Sequence, residues 1–599
     1  MKKKGMVLFL AFVLVLAAFT GCGGGGDEGE GTETEGTAAA TVLTNGVIYT
    51  VEGDDWDQNA AQAMAVGEDG TILFVGSDED AQAYIGDATE VVDLAGNTVL
   101  PGLIDSHNHP IGTALTELFE INLYYDFDRE GSLATITSFV EENPDLDIYW
   151  GNGFNMGMVD AEGNPPNKTW IDEITDKPMV LISNDGHNTW LNTPALALFG
   201  IDASTPTPTG GNIHKDANGE PTGLLTDCGE LITLSHEYTE EQLAEGTAWY
   251  LNVMREWGYT AISSAGVLDT GVNPYIFEEL EDAGELTLRI NYSYMMDPAD
   301  YQAGLDTLDT WKAEIDSELM DITTAKFFAD GVIEGVTGYL LEPYAEAAGM
   351  GSDYVSEPLW TEDVFKEAMV ATLEKGYQIH VHSIGDAATR LTLDCIEYAQ
   401  ETVGEGDYRN VIAHLQLVDE ADKPRFGELG IIANLQPFWH MKEPDWYTYV
   451  DELVLGAERA WTEYPVKSLM DNGAILTSSG DYPVSPTNDP FWAIESGLTR
   501  NLNNAEYYGV EDITDIDDPT WLLNPDERVD VKTMVEAYTI NGAYQMFKDD
   551  QIGSLAVGKF ADFIVIDQDI MQANPLDVDG TNVLATVLNG AVIYGGYQF

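Results

Sequence analysis

LPGLIDSHNHP, residues 100–110, is an apolar segment that ends in an acid and two histidines. Alternate residues of a β-strand face the same side, so His107 and His109 point together where the strand ends. Taken alone, the pair is equally well explained as a polar loop after a buried strand. The rest of the chain favours another interpretation, because other apolar segments also end in residues that bind metals.

Short apolar segments alternate with helical stretches through the middle of the chain, which is typical of βα units and a parallel sheet. We predict eight strands, ending near Ser106, Ser264, Tyr294, Phe328, His382, His414, Leu435 and Ser478. Their spacing suits a (β/α)8 barrel, which averages about 30 residues per unit. Only the interval between the first two strands is far too long. It predicts an insertion of about 120 residues, which we place at about 120–240.

Both ends of the chain carry short alternating strands separated by turn signals, such as Asn45-Gly46 and Asn589-Gly590, with no helical stretch between them. We therefore expect a small β-sandwich built from residues 41–98 and 546–599. The predicted fold class is α/β, with a barrel at 99–545 that resembles the TIM barrel and carries the insertion after its first strand.

Six polar residues sit at the ends of the predicted strands one, four, five, six and eight. They are His107, His109, Lys326, His382, His414 and Asp481. The carboxyl ends of barrel strands meet at the face where active sites form. Such residues are costly inside an apolar barrel unless they are paired or bound to metal. The set therefore predicts a site for one or two divalent ions, with zinc as the expected metal.

The sequence suggests two groups of ligands. His107, His109 and Asp481 would hold one ion, and His382 and His414 a second. Lys326 cannot bind a metal as an ammonium, but carboxylation by CO2 would turn it into a bridging carbamate. His380 faces the same side as His382, which we prefer as the ligand because it lies nearer the end of its strand. Asp481 is the best candidate to take a proton from metal-activated hydroxide and pass it to a leaving nitrogen.

This order of ligands resembles the amidohydrolase superfamily, with HxH on strand one, Lys on four, His on five and six, and Asp on eight. The segments DGHNTWLNTPAL (185–196), HSIGDAATR (382–390) and SSGDYPV (478–484) resemble amidohydrolase family 3, the YtcJ-like branch that includes N-substituted formamide deformylases. The resemblance covers about 41–599. It implies that the six residues named above are metal ligands, that Asp481 also handles the proton, and that His187 lies in the substrate pocket.

The implied activity is hydrolysis of a C–N bond in a small non-peptide amide, an N-formyl amine or a cyclic amide. Trp150 and Trp190 are expected to line an aromatic-tolerant pocket. Two other functions stay open: a lipid-anchored protein that binds a solute for a transporter, and a metal hydrolase of an ester or phosphoester.

The N-terminus has the pattern of a bacterial lipoprotein signal. Lys2, Lys3 and Lys4 precede a 15-residue apolar run, and small residues lead into Cys22. We predict a signal peptide at 1–21, a lipid on Cys22 and a flexible tether at 22–40, which would anchor the protein outside the cytoplasm.

The net charge and the positions of the cysteines indicate which binding partners and metal sites to expect. A net charge of −79 repels phosphate backbones and anionic lipids, so we expect no nucleic acid partner and membrane contact only through the lipid anchor. Cys228 and Cys395 lack CxxC partners, which excludes a thiolate zinc site of that kind. Two buried thiols are expected there, although one disulfide bond stays open.

Overall fold

Eight parallel strands, β1 to β8, form the central sheet of this computed structural model. They are β1 (Leu103–Asn108), β2 (Tyr259–Ser264), β3 (Arg289–Met295), β4 (Met320–Phe328), β5 (Gln378–Ser383), β6 (Val411–His414), β7 (Ile432–Leu435) and β8 (Ile475–Ser478). Each strand pairs with the next one along the chain. β1 and β8 meet where Ser106 Oγ donates a hydrogen bond to the Ser478 carbonyl at 2.9 Å. The predicted (β/α)8 barrel is thereby confirmed.

The structure describes residues 38–597 except 127, 161–162, 184–185, 209–210, 267–272, 445 and 486. The predicted signal peptide, Cys22 and the tether as far as residue 37 lie outside the described residues. Among the helices that are described, none combines the length and the apolar character needed to cross a bilayer.

Helices surround the barrel, and the one before β2 shows why they form. Glu240–Glu256 begins at a capping box in which Thr239 and Gln242 exchange side-chain and backbone hydrogen bonds. Its buried side includes Tyr250, Leu251 and Met254. The other barrel helices are Gly112–Phe119, Tyr275–Asp282, Tyr301–Glu314, Glu362–Glu374, Asp386–Val403, Lys423–Leu429, Asp451–Leu455, Ala457–Ala460, Val466–Asp471, Pro490–Thr499, Ala505–Tyr508, Val531–Ala537 and Ile540–Gln545.

A separate six-stranded sheet occupies the long interval between β1 and β2. Its strands, in sheet order, are Asn212–Lys215, Pro221–Thr226, Asn188–Leu191, Met179–Ser183, Tyr149–Phe154 and Ile121–Asn122. Helices Arg129–Glu142, Lys168–Ile171 and Thr193–Leu198 accompany it. The core of this insert is built around Trp190, which is fully buried. The insert stands at the carboxyl end of β1, beside the face where barrel active sites lie.

The two ends of the chain form two further sheets. One has the order Ile72–Gly76, Ala63–Val66, Thr41–Thr44 and Glu90–Asp93, and the other Val47–Ile48, Thr98–Pro101, Phe563–Ile566, Val583–Leu588 and Ala591–Gly595. Leu43 and Met64 of the first sheet share a buried cluster with Val99 and Phe563 of the second. The expectation that no helix interrupts these strands is wrong at Asp78–Ala81, because Ser77 caps one helical turn there by accepting from the Asp80 backbone amide.

Both described cysteines are free and buried. Cys228 packs in the insert, whereas Cys395 lies on the helix that follows β5. The structure thus has two buried thiols at these positions and no bond between them.

A buried ion pair joins the barrel to the terminal sheets. Arg289, at the start of β3, donates from Nε to Asp562 Oδ2 at 2.7 Å, and both side chains are shielded from solvent. Asp562→Ala leaves the guanidinium buried without its partner, so we expect a loss of about 3–5 kcal/mol in chemical denaturation. The matched control is Asp471→Ala, which removes the exposed Lys467–Asp471 pair and is expected to cost at most about 1 kcal/mol. Equal losses in the two variants would contradict this account of the interface.

Candidate metal centre

The parallel register of the barrel brings the predicted ligands to one end of the sheet. Lys326 lies opposite His380, and Phe328 lies opposite His382. One strand further, Ser383 lies opposite His414. His107 is the second-last residue of β1, and Asp481 lies three residues after the end of β8. The six side chains predicted as ligands all line a single cavity.

His107, His109 and Asp481 form the tightest group. Asp481 Oδ1 lies 3.3 Å from His107 Nε2 and 3.2 Å from His109 Nε2. Their candidate ligand atoms all lie within 4.8 Å of one another, and no other group of three His, Cys, Asp or Glu in the described residues meets that limit. Asp481 Oδ1 is buried, and no described residue forms a hydrogen bond with it. A divalent cation would satisfy this oxygen, so the donor set fits a metal.

The second pair, His382 and His414, lies beside the first group. The two ring centroids are 4.5 Å apart, and His414 Nδ1 is 3.9 Å from Asp481 Oδ2. His382 Nε2 donates to the Gly331 carbonyl at 3.1 Å, and His414 Nδ1 donates to Gln436 Oε1 at 2.9 Å. Each ring therefore keeps one nitrogen with a lone pair for a ligand.

Lys326 is a buried amine at the middle of the group. Its Nζ lies 3.0 Å from His107 Nε2 and 4.8 Å from the centre of the Phe328 ring. Burial lowers the pKa of Lys326 to about 7, and the nearby Asp481 carboxylate only partly offsets this effect. A large fraction of the amine is therefore neutral near pH 7, which is the form that reacts with CO2.

Three imidazoles of the site, those of His107, His382 and His414, are held in the neutral form. Burial is the main cause that holds the pKa of His107, His382 and His414 well below the ordinary range. The charge of Lys326 acts in the same direction on all three. Neutral imidazole is the form that donates a lone pair to a metal.

Residues around the ligands orient them, and most of these carried no signal in the sequence. His380 Nε2 lies 2.9 Å from His107 Nδ1, which directs His107 Nε2 towards Asp481. The Gly266 carbonyl accepts from His109 Nδ1 at 3.0 Å, and this contact directs His109 Nε2 towards Asp481. Such outer contacts set the tautomer of a metal-binding histidine. His380 was visible as a neighbour of His382, whereas Gly266 and Gln436 had no recognisable motif.

Two buried aspartates connect segments that lie next to the candidate ligands. Asp105 accepts from Asn108 Nδ2 at 2.6 Å and from Asn488 Nδ2 at 2.7 Å, which ties β1 to the segment after β8. Asp330 accepts from the backbone amides of Ile384 and Gly385, which ties the loop after β4 to the loop after β5. Burial raises the pKa of both carboxyls to about 7.

The backbone at the site is strained. His414, Leu415 and Asp481 have φ values of 74°, 53° and 51°, in the left-handed region that few non-glycine residues adopt. Strain of this kind is retained where the surrounding structure holds it and clusters at functional sites. Here it turns the chain at the ends of β6 and β8, where two of the ligands lie.

His187 reaches the cavity from the insert, and its partner was missed from the sequence. His187 Nδ1 donates to Asp227 Oδ1 at 2.8 Å. Asp227 comes directly after the insert strand that ends at Thr226, and it has a φ of 48°. The two residues lie 40 positions apart in the chain, so no local pattern linked them.

The cavity has a volume of about 870 Å³ and lies between the barrel and the insert. Trp439, Trp446 and Trp492 are among its aromatic lining residues. The expectation for Trp150 and Trp190 is wrong. Trp190 packs in the core of the insert and Trp150 stacks on His236, so neither is among the described residues that line the cavity.

Comparison with known proteins agrees with this architecture. The amidohydrolase family pattern matches residues 90–594. The putative amidohydrolase YtcJ of Bacillus subtilis is 28% identical, over 92% of this chain and 98% of its own length. An N-substituted formamide deformylase of Arthrobacter pascens is 24% identical, over 92% of this chain and 98% of its own.

Among solved structures, an uncharacterized metal-dependent hydrolase from Pyrococcus horikoshii shares the fold, with a TM-score of 0.66 and 21% identity. The match covers 90% of this chain and 99% of the other. The barrel with ligand-type residues at its strand ends, together with a family match across most of the sequence, places the protein: it belongs to the amidohydrolase family.

Proposed function

We propose that this protein is a metal-dependent hydrolase of C–N bonds in small non-peptide amides, with N-formyl amines and cyclic amides as the main classes. The observation that carries the proposal is the buried, unsatisfied Asp481 Oδ1 between His107 Nε2 and His109 Nε2. The likeness to an N-substituted formamide deformylase supports the choice of bond.

The residues divide into two metal-holding groups. His107, His109 and Asp481 would hold one divalent ion, and His382 and His414 would hold a second. Lys326, carboxylated by CO2, would reach both. Imidazole and carboxylate donors without a thiolate favour zinc. When bound, such ions polarise a carbonyl and lower the pKa of water, which supplies the nucleophile.

The chain itself manages the proton. Asp481 Oδ1 faces the two histidines, whereas Oδ2 lies on the side of His414. We propose that Oδ2 accepts the proton released by the attacking water and donates it to the leaving nitrogen. His187, which donates to Asp227 and lines the cavity, would contact the substrate.

We also propose that Cys22 carries a lipid that anchors the protein outside the cytoplasm. The basic start, the apolar run and the small residues before Cys22 support this location. The partner would then be a small amide-type substrate that reaches the protein outside the cell membrane, and nucleic acid is not expected to bind.

Asp481→Asn tests the proton role. The amide keeps an oxygen that can bind a metal but cannot carry the proton, so we expect retained zinc and a kcat lower by about 10²–10⁴-fold. Metal analysis and turnover of a panel of amides, N-formyl amines, esters and phosphoesters measure the two effects. Asp526→Asn, at an exposed position, is the control and should match the wild type. Full activity in Asp481→Asn, or in metal-stripped protein, would contradict the proposal.

Lys326 makes reloading of the metal depend on CO2 and pH. Carbamate forms from the neutral amine, and the fraction of that form rises as pH increases through about 7. Stripped protein given zinc at constant dissolved CO2 should therefore regain activity faster at about pH 8 than at about pH 6. Lys326→Met should lose both the response to CO2 and activity, while Lys467→Met, on the surface, should retain both. If the rate of reactivation by zinc did not depend on CO2, carboxylation of Lys326 would be contradicted.

The anchor is tested by Cys22→Ser in a bacterial host. Loss of the thiol removes the lipid attachment point, so we expect the protein to move from the membrane fraction to the soluble fraction and to lose labelling by a radioactive fatty acid. Cys228→Ser keeps Cys22 and should stay with the membrane. Equal fractionation of the two variants would rule out this anchor.

A further inference from the structure

A second polar cluster lies in the same cavity, on the loops after β4 and β7. It consists of four acidic side chains: Glu334, Glu443, Asp451 and Glu463. Asp451 and Glu463 are only 7% and 1% exposed. A chain with 104 acidic residues is expected to expose many of them, but buried carboxylates are costly and need a compensating contact.

The described residues supply little positive charge to three of these acids, Glu443, Asp451 and Glu463. Neighbouring acids act on Glu443 and Asp451, and the described cation that acts on Glu463 is Arg500. Arg500 is close to Glu463, but its guanidinium nitrogens donate to the backbone carbonyls of Leu523, Tyr464 and Glu463. Gln416 Nε2 donates to Glu463 Oε1 at 2.8 Å. Asp451 Oδ1 is buried, borders the cavity and has no hydrogen-bond partner in the described structure.

The acids also destabilise one another as anions. Burial raises the pKa of Glu443 to about 7, with a contribution from Glu334. Burial and the neighbouring acids raise the pKa of Asp451 and of Glu463 well above the ordinary range. A cation that entered the cavity would remove this repulsion and provide the missing partner.

Aromatic rings lie in the same cavity as the acidic cluster. Trp446, Tyr449 and Tyr464 line the cavity with the acids, and aromatic faces attract organic cations. Trp439 separates the acidic cluster from the metal centre. Its ring centroid lies 5.7 Å from that of His414 and 6.5 Å from that of Tyr464. A single small molecule could therefore reach both places.

The spacing of the acids distinguishes an organic cation from a metal ion. A metal ion needs ligand atoms gathered closely around it, and in the described residues only His107, His109 and Asp481 meet a 4.8 Å limit as a group of three. The four acids are too widely spaced for this. Separated carboxylates suit a group with several N–H donors, such as an ammonium or a guanidinium.

We propose that Glu443, Asp451 and Glu463 form a subsite for a positively charged group of the substrate. The preferred substrates are then amides or N-formyl amines that carry an alkylammonium or guanidinium group at the end away from the bond that is cleaved. The cleavage rests on the proposed function, whereas binding of the cation does not.

Two matched substrates test the preference. N-formyl-1,6-diaminohexane carries an ammonium group, and N-formylhexylamine lacks it. We expect wild-type kcat/KM to be higher for the charged substrate by at least about tenfold, which is the effect of one buried charge-assisted hydrogen bond. Glu443→Gln and Asp451→Asn should bring the ratio close to one while turnover of the neutral substrate is maintained.

The control is Glu452→Gln, which alters the neighbour of Asp451 on the same helix but not a residue recorded in the cavity wall. It should keep the wild-type ratio. Thermal unfolding of each variant checks the fold, and Glu443→Gln, at a half-buried position, serves if Asp451→Asn does not fold.

Calorimetry with 1,6-diaminohexane separates the subsite from the reaction. Binding by the metal-loaded wild type that both variants lose would support the subsite even if no formamide is hydrolysed, and the proposed function would then fail alone. Equal turnover of the two formamides without diamine binding would overturn the subsite and leave the proposed function standing. Diamine binding that the variants retain, or no binding together with no turnover, would also overturn the subsite.

Discussion

Burial of imidazole, amine and carboxylate groups at the carboxyl ends of the barrel strands is the constraint on which the rest of the structure depends. Water would otherwise solvate His107, Lys326 and Asp481, and its loss makes the charged forms of the basic groups unfavourable. The same loss of water keeps the imidazoles of His107, His382 and His414 neutral. Among the described residues, Asp481 Oδ1 has no hydrogen-bond partner. A divalent cation resolves both conditions, because it accepts neutral nitrogen donors and binds the unsatisfied oxygen.

Burying these polar side chains is unfavourable, so the rest of the fold must stabilise their positions. Ligands come from different strands, so their relative positions depend on the register of the whole barrel. Asp105 and Asp330 tie neighbouring loops together with buried hydrogen bonds, and left-handed backbone at His414 and Asp481 turns the chain where ligands must face inwards. The surrounding packing and hydrogen bonds stabilise the strained geometry of the site.

The cavity also shows how one fold can separate chemistry from recognition. The candidate metal ligands belong to the strands and the residues just after them, which are the most constrained part of a barrel. The acidic cluster and the rings of Trp439, Trp446 and Tyr464 belong to longer loops after β4 and β7, and His187 belongs to the insert. Loops and inserts can change without disturbing the barrel, so differences in substrate are expected there.

Much of this arrangement was readable in the sequence because it repeats locally. Apolar segments at barrel spacing predicted all eight strands, and the six candidate ligands at their ends line one cavity. Period-two alternation also assigned His107 and His109 to one side of β1. Contacts between distant positions leave no such local pattern. His187 with Asp227, Gln436 with His414, and the acidic cluster could therefore not be paired in advance, and Trp150 and Trp190 were assigned to the wrong environment.

The sequence by itself determined the barrel and the chemical types of the six candidate ligands. These depend on hydrophobic periodicity and on chemical type, both of which are local properties. Only the tertiary structure decided which candidate ligand atoms face one another, which nitrogen of each histidine is available, and which acids share the cavity. Those features depend on desolvation and on distances across the closed barrel, and chain order does not encode either of them directly.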